Sequence, residues 1–140
     1  MHTVTVNRRA VARLERGHPW VFRSDLDGMP DAPPGSVVRV QLASGKPLGT
    51  AHYSSTSQIA LRMLAARDTA VDEAFLSQRL AAAIALRERV VRDSDSCRVV
   101  YGEADFLPGL VVDRYADCLA IQTLSQGMDA LQPLIVKTLG

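Results

Sequence analysis

Residues 37–54, VVRVQLASGKPLGTAHYS, decide the fold of the first half of the chain. Residues 37–42 predict one strand, and residues 47–54 predict the strand that returns beside it. The segment ASGK at residues 43–46 predicts the turn, because a short glycine-containing link between two strand-like runs is typical of a β-hairpin. This half is therefore expected to be built around an antiparallel pair.

Short strands continue on both sides of this hairpin. Residues 3–6 and 20–22 predict two strands before it, and residues 58–66 predict one after it. A loop with three prolines and two glycines separates the hairpin from the preceding strand, at residues 27–36. Strands this short and this numerous predict a small β-barrel, with loops and a helix at its rim.

The helix of this first half is rich in arginine. Residues 7–17, NRRAVARLERG, predict it, with Asn7 as the cap of its start and Gly17 at its end. Its apolar stripe is narrow and consists of Ala10, Val11 and Leu14. Replacing Arg8, Arg9 and Arg13 together by alanine is therefore expected to leave the fold almost intact.

The second half of the chain combines longer helices with strands. Residues 72–91 predict a helix in which Leu76, Leu80 and Ile84 repeat every fourth residue, with Ala83 beside them. Three strands are predicted after it, at residues 97–102, 110–115 and 118–124.

A last helix is predicted over residues 131–140. Its apolar face has few partners to cover it and contains Leu131, Leu134, Ile135 and Leu139. The predicted fold class is thus α+β, with a small PUA-like β-barrel expected over residues 1–68 and a truncated mixed α/β domain expected over residues 69–140.

Charge is distributed unevenly along the chain. Residues 1–67 hold nine basic and four acidic residues, whereas residues 68–140 hold seven basic and eleven acidic residues. The first half thus carries a net charge of +5 and the second half −4. Such an asymmetry favours a polyanion as the partner of the basic half, although small domains often carry a few net charges without such a role.

Arginine, histidine and tryptophan of the first half are the candidate nucleic-acid contacts. Arginine offers a planar fork of donors that suits phosphate, and aromatic rings stack on unpaired bases. The predicted contacts are Arg8, Arg9, Arg13, Arg16, His18, Trp20, Arg23, Lys46 and Arg62. For Trp20 a place in the core is the stronger alternative. Arg62 fits a phosphate contact and a solvated surface position equally well, and His18, before a proline in a turn, is expected to be exposed.

Catalytic, cofactor and metal sites are not predicted anywhere in the chain. It has no GxGxxG or P-loop sequence, no nucleophile elbow and no metal-spaced cluster of cysteine and histidine. Cys97 and Cys118 are expected to be reduced, buried thiols. Glu103 and Asp105 are expected to cap a turn, and Asp113 to pair with Arg114 or a loop amide. An acid/base pair among these three carboxylates is the weaker alternative. Neither a signal peptide nor a membrane span is predicted, which favours a cytoplasmic protein.

Three segments together resemble the large-subunit ribosomal RNA (cytosine-5)-methyltransferase family. They are RGHPWVFRSDL at residues 16–26, GTAHYSSTSQIALRML at residues 49–64 and GEADFLPGLVVDRYADCLAIQTLSQG at residues 102–127. The order and spacing of the segments agree with the family over nearly the whole chain. One position departs from the family pattern, since Phe106 stands where that family usually has a glycine, and a positive φ would strain it there.

The resemblance implies a PUA domain over residues 1–68 and part of a central α/β domain over residues 69–140. The family's third domain, which binds S-adenosylmethionine and holds the catalytic cysteine, would be absent from this chain. Cys97 and Cys118 do not match that cysteine motif. The chain is therefore expected to contain no cofactor site of its own and to be inactive alone.

Three functional hypotheses follow. In the first, the chain is the part of a methyltransferase that binds ribosomal RNA and brings it to the catalytic domain. In the second, it is a non-catalytic scaffold that forms a homodimer through its C-terminal half. The third, a self-contained enzyme, would need a site that the sequence does not contain.

Overall fold

A computed structural model describes all 140 residues of the chain. The residues form two compact units, Met1–Thr69 and Ala70–Gly140, which are described separately below as unit 1 and unit 2.

Unit 1 consists of a curled five-stranded sheet and one α-helix. Its elements are β1 (His2–Val6), α1 (Arg8–Glu15), β2 (Trp20–Phe22), a 3-10 turn (Arg23–Asp25), β3 (Val37–Leu42), β4 (Pro47–Tyr53) and β5 (Ile59–Ala65). The strand order is β1-β3-β4-β5-β2, with β1 parallel to β3 and every other pair antiparallel. The sheet curls into a half-barrel, which agrees with the predicted small barrel.

The core of unit 1 follows from the alternation of apolar residues along the strands. Side chains at every second position point inward, and the buried cluster contains Val4, Val6, Ala10, Val21, Val38, Val40, Ala51, Tyr53 and Leu61. Helix α1 contributes Ala10, which is buried in this cluster, and Leu14, which is partly buried against it. The helix starts as predicted, since the Asn7 side chain accepts a hydrogen bond of 3.1 Å from the Ala10 amide.

Unit 2 is a three-stranded antiparallel sheet with two helices. Its elements are α2 (Glu73–Val90), β6 (Ser96–Tyr101), a 3-10 turn (Gly102–Asp105), β7 (Leu110–Tyr115), β8 (Cys118–Thr123) and α3 (Gln126–Leu139). The last helix begins five residues earlier than predicted, because the Ser125 hydroxyl caps it by accepting the Met128 amide at 3.1 Å. Ile135 is fully buried, so the apolar face of this helix does have partners within unit 2.

The packed face of α2 differs slightly from the predicted one. Leu76, Leu80 and Ala83 are buried as expected, but Ile84 is 37% exposed. The helix begins at Glu73, after Asp72, whose carboxylate accepts the Phe75 amide at 2.9 Å.

The turn that carries the departure from the family pattern is left-handed at Phe106. Its φ of 58° and ψ of 29° lie in the left-handed region, which glycine adopts most easily. The Phe106 side chain is 69% exposed. The free-energy cost of having phenylalanine here, where the family usually has glycine, is therefore confined to backbone strain. The turn is supported from inside by Asp105, which is buried and accepts both the Arg87 guanidinium and the Tyr101 amide.

Two side-chain predictions for unit 2 are wrong. Asp113 pairs with Arg98 on the neighbouring strand, at 2.8 Å, because the two residues are directly opposite in the β6–β7 register, while adjacent Arg114 points to the other face. The cysteines are not buried: Cys97 is half-buried, and Cys118 is exposed where β8 begins, on an edge strand. No helix of the structure has the length and apolar character of a membrane span.

Candidate nucleic-acid interface

An open groove lies where α1 ends and the chain turns into β2. It has a volume of about 610 Å³, and its lining residues are Arg13, Arg16, Gly17, His18, Pro19 and Phe22. Gly17 allows the sharp exit from the helix, since its φ is +85° and nothing lies within 4 Å of the place where a Cβ would be. Because residues 13–22 are consecutive in the chain, local structure alone brings these side chains together.

A buried carboxylate holds the arginine on the inner side of this groove. Asp25 is 1% exposed and forms an ion pair with Arg13, and a second, longer one with Arg9 at 3.3 Å. The Asn7 side-chain amide donates to the same carboxylate at 3.3 Å. Thus anchored, the Arg13 guanidinium lies 5.0 Å from the centroid of the Phe22 ring.

His18 forms the outer side of the groove and is exposed, as predicted. Its Nδ1 accepts a hydrogen bond of 3.2 Å from the Trp20 amide. The neutral ring must therefore carry its proton on Nε2, which remains available as a donor. The ring is 5.5 Å from Trp20 in an edge-to-face arrangement and 6.2 Å from Phe22.

The other predicted contacts differ in how much of their charge is available. Arg8, Arg16 and Lys46 are exposed and make no ion pair or hydrogen bond through their side chains. Arg9 also faces solvent, with 72% of its side chain exposed, although it pairs with Asp25. The expectation that Arg8, Arg9 and Arg13 can be removed together without loss of fold is thus wrong, because two of them compensate the buried Asp25.

Arg23 is used inside the protein. Its Nε donates to the carbonyl of Ser57 at 3.1 Å, and one terminal nitrogen donates to the carbonyls of Ser54 and Ser57 at 2.6 and 2.8 Å. These bonds fasten the loop between β4 and β5 to the end of β2. A phosphate contact by Arg23, which stays a prediction, would have to use the donors that remain.

Trp20, Arg62 and His52 form a row across three neighbouring strands. Arg62 pairs with Trp20 on one side and with His52 on the other in the strand register. Trp20 and Arg62 are both half-buried, and an RNA contact by either of them stays a prediction. The indole nitrogen of Trp20 is buried and has no hydrogen-bond partner.

His52 is the residue of this row that sequence reasoning missed. It is 3% exposed, and neither ring nitrogen has a hydrogen-bond partner. Burial, with a smaller contribution from the positive charge of Arg62, lowers its pKa from 6.5 to about 4. A signal was present in the sequence. Ala51 and Tyr53 on either side belong to the core cluster, and alternation along β4 therefore places His52 on the opposite face of the sheet.

Replacing His52 by leucine should remove a pH dependence of stability. At pH 7 we expect the free energy of unfolding to stay unchanged or to rise by up to about 1 kcal/mol, because unbonded polar atoms are buried there. Between about pH 6.5 and pH 4 the unfolded histidine binds a proton that the folded one does not. The wild type should therefore lose about 3 kcal/mol relative to the variant as the pH falls through this range.

Urea unfolding followed through Trp20, the only tryptophan, measures both quantities in unit 1. The difference between the two proteins isolates His52, because every other titrating group is shared. Equal slopes of stability against pH in wild type and variant would show that His52 does not titrate in this way.

Unit 1 belongs to a recognised class of domain. Residues 4–66 match the family described as the PUA-like domain, and with the curled sheet this identifies unit 1 as a PUA-like domain. The prediction of a PUA-type fold for the first part of the chain is confirmed.

Most of the chain, from both units, is similar to large-subunit ribosomal RNA methyltransferases. It is 38% identical over 130 residues to ribosomal RNA large subunit methyltransferase I of Shewanella amazonensis, and 38% identical over 132 residues to that of Erwinia tasmaniensis. Each match covers 90% of this chain and 33% of the relative. The chain thus spans about a third of the length of these relatives, and the resemblance to this methyltransferase family is confirmed.

Solved structures share the fold of both units. A protein from Streptococcus mutans assigned as a SAM-dependent methyltransferase has a TM-score of 0.87 and 16% sequence identity, over 99% of this chain and 37% of its own. A second structure, of a protein likewise assigned as a methyltransferase and complexed with SAH, has a TM-score of 0.87 and 17% identity over the same shares of the two chains. At such low identity these likenesses concern the fold alone.

Proposed function

We propose that this chain is the RNA-binding and targeting part of an S-adenosylmethionine-dependent ribosomal RNA (cytosine-5)-methyltransferase of the cytoplasm. In this proposal the PUA-like domain, residues 1–68, holds the RNA, and residues 69–140 form part of the central domain. Methyl transfer takes place on a catalytic domain outside these 140 residues. The similarity to ribosomal RNA methyltransferases supports the substrate, and the free cations around α1 support the mode of binding.

The charge of the two units supports RNA binding by unit 1. Met1–Thr69 contains nine basic and five acidic residues, whereas Ala70–Gly140 contains seven basic and ten acidic residues. Of the nine cations, Arg8, Arg16, Lys46 and Arg67 have no side-chain partner and can neutralise phosphates without breaking a bond of the folded protein.

S-adenosylmethionine is implied for the full-length family, but the residues of this chain do not suit it. Unit 2 contains one direct strand-to-helix connection, the two residues Leu124 and Ser125. The Ser125 hydroxyl already accepts a hydrogen bond from the Met128 amide of α3. The same hydroxyl lies so close to Gly109 that a Cβ atom there would be 2.7 Å from it. Side chains and backbone of unit 2 thus occupy the space beside this connection where a cofactor would bind. We therefore assign no cofactor contact to this chain.

Salt-dependent RNA binding tests the proposal. We expect the chain to bind a structured fragment of ribosomal RNA with an affinity that falls steeply with salt. Replacing Arg8 and Arg16 together by alanine should weaken binding about tenfold and reduce the log–log salt slope by about 1 per arginine. Stability should not change, because neither guanidinium has a partner in the protein.

A matched control comes from unit 2. Arg89 and Arg92 are likewise exposed and without side-chain partners, so their double alanine variant removes the same charge elsewhere. Fluorescence anisotropy at several salt concentrations compares the three proteins. A flat salt dependence of the wild type, or equal losses in both double variants, would count against RNA binding by the α1 surface.

Homodimerisation through the C-terminal half is the second candidate function. A groove of about 180 Å³ in unit 2 is lined by apolar residues, among them Ile84, Val91 and Leu119, and also by the charged residues Arg87, Glu88 and Arg114. Leu119 is 43% exposed beside it. Light scattering over a range of protein concentrations tests this candidate, and a monomer at high concentration argues against it.

A further inference from the structure

Strand β8 is an edge of the sheet in unit 2, and it has none of the usual features that prevent pairing with another strand. The sheet order is β6-β7-β8, so β8 has a neighbouring strand on one side only. Its six residues include no charged residue and no proline, and its pairing with β7 contains no bulge. An exposed edge without such features is a template on which a further strand can pair.

The opposite edge of the same sheet is protected. Strand β6 contains the charged residue Arg98, and its pairing with β7 is interrupted by a bulge between Arg98 and Val100. A charge and a bulge on an edge strand both hinder pairing with a second chain. The contrast between the two edges makes β8 the edge at which a partner strand is expected.

The backbone groups of β8 alternate between the two sides of the strand. The Leu124 amide donates to the Gly109 carbonyl at 2.7 Å, and in an antiparallel pair every second residue repeats this direction. The residues whose N–H and C=O groups face β7 are therefore Cys118, Ala120 and Gln122. The residues whose N–H and C=O groups point away from the sheet are Leu119, Ile121 and Thr123.

Two exposed apolar side chains flank this open edge. Leu119 is 43% exposed and Leu124 is 64% exposed. They lie at opposite ends of β8 and, because successive side chains alternate, on opposite faces of the sheet. Helix α3 begins at Gln126, beside the Leu124 end, so the Leu119 end lies away from the start of that helix. A partner that covers both leucines must therefore extend along the whole strand.

We propose that β8 pairs antiparallel with β8 of a second copy of this chain, about a two-fold axis at Ile121. This inference rests on homodimerisation, the second candidate function, and names its interface. About this axis Leu119 lies opposite Thr123 of the second copy, and Leu124 lies opposite Cys118. Each exposed leucine thus gains a neighbour on its own face, and every outward-pointing backbone group meets an outward-pointing group. No like charges meet, because β8 has none.

Hydrogen exchange at single amides tests this interface in the complete 140-residue chain. The amides that face β7 should be protected at every protein concentration, and these are Cys118, Ala120 and Gln122. The outward amides should exchange rapidly in dilute solution and about tenfold or more slowly in concentrated solution, and these are Leu119, Ile121 and Thr123. A dimer formed through the groove beside Ile84 and Val91 would not slow every second amide of β8.

The variant Leu119→Pro blocks the pairing at the backbone. It removes an outward N–H but no bond to β7, so proline is tolerated there as it is on other edge strands. We expect it to stay monomeric at concentrations at which the wild type dimerises. Leu119→Ala is the matched control, because it removes the same side chain but keeps the N–H, and it should still dimerise.

A second variant, Ala120→Lys, keeps every backbone group and places two like charges beside the two-fold axis. Ala120 is exposed, so the fold should tolerate the change, and the dimer should again be lost. Sedimentation velocity over a range of concentrations compares the four proteins, and circular dichroism shows that each is folded.

The failures of the two proposals are distinguishable. If the wild type sediments as a monomer at every concentration, homodimerisation is wrong, and this interface with it. If the wild type dimerises but its outward amides exchange equally fast at all concentrations, or if Leu119→Pro and Ala120→Lys dimerise like the wild type, the β8 edge is not the interface. Homodimerisation through another surface then stands.

Discussion

Replacing Arg13 by alanine is expected to lower the free energy of unfolding of unit 1 by about 3 kcal/mol. The reason is the carboxylate that this arginine compensates. Asp25 is 1% exposed and would keep only Arg9 and the Asn7 amide, each at 3.3 Å. A buried charge that loses its closest partner retains the cost of leaving water without the attraction that offset it.

Urea unfolding followed through Trp20 measures this effect in the unit that contains the ion pair. Arg16→Ala, on the same helix but without a partner, is the matched control and should leave stability unchanged within about 0.5 kcal/mol. Adding Asp25→Asn to Arg13→Ala removes the buried charge and should restore part of the loss. A single variant as stable as the wild type would show that Asp25 does not need this arginine.

The ion pair also shows what the sequence could and could not predict about the candidate site. The arginine-rich helix, its Asn7 cap and the exposed His18 follow from residues close together in the chain, and the structure agrees. Asp25 lies twelve residues after Arg13 and beyond a strand, so only the folded chain brings the two together. Sequence reasoning thus found the basic surface but could not separate its anchored arginines from its free ones.

Strand register explains the side-chain predictions that were wrong or missing. Residues 37–54 define their hairpin locally, and β3 and β4 pair antiparallel as expected. By contrast, the partner of Asp113 depends on the residue of β6 that lies opposite it, and this is Arg98. The burial of His52 likewise depends on what lies over its face of the sheet, which the alternation along one strand does not reveal.

The second large effect is expected in unit 2, at the partner of Asp105. Arg87 donates two hydrogen bonds to this carboxylate, at 2.5 and 2.8 Å, and only 16% of its side chain is exposed. Burial acts to raise the pKa of Asp105, but the bonds from Arg87 and the Tyr101 amide outweigh it and lower the pKa below its usual value. Arg87→Ala should therefore lower the free energy of unfolding at pH 7 by about 3–5 kcal/mol.

The pH dependence of this loss distinguishes the lost ion pair from lost packing. In the wild type, the low pKa of Asp105 provides stability that is complete above the unfolded pKa of 3.8 and declines as the pH falls below it. In Arg87→Ala the uncompensated carboxyl should instead take up a proton more readily when folded. The difference in stability between the two proteins should therefore be largest near pH 7 and shrink towards acid pH.

Far-UV circular dichroism during urea unfolding measures the effect, since α2 and α3 supply 32 of the 40 α-helical residues and both belong to unit 2. Arg89→Ala, two residues away on the same helix and exposed, is the matched control and should change stability little. Adding Asp105→Asn to Arg87→Ala removes the charge, keeps an acceptor for the Tyr101 amide and should recover part of the loss. If the loss in Arg87→Ala is the same at every pH and Asp105→Asn recovers none of it, the arginine acts by packing, and the buried carboxylate is not what stabilises the turn at Phe106.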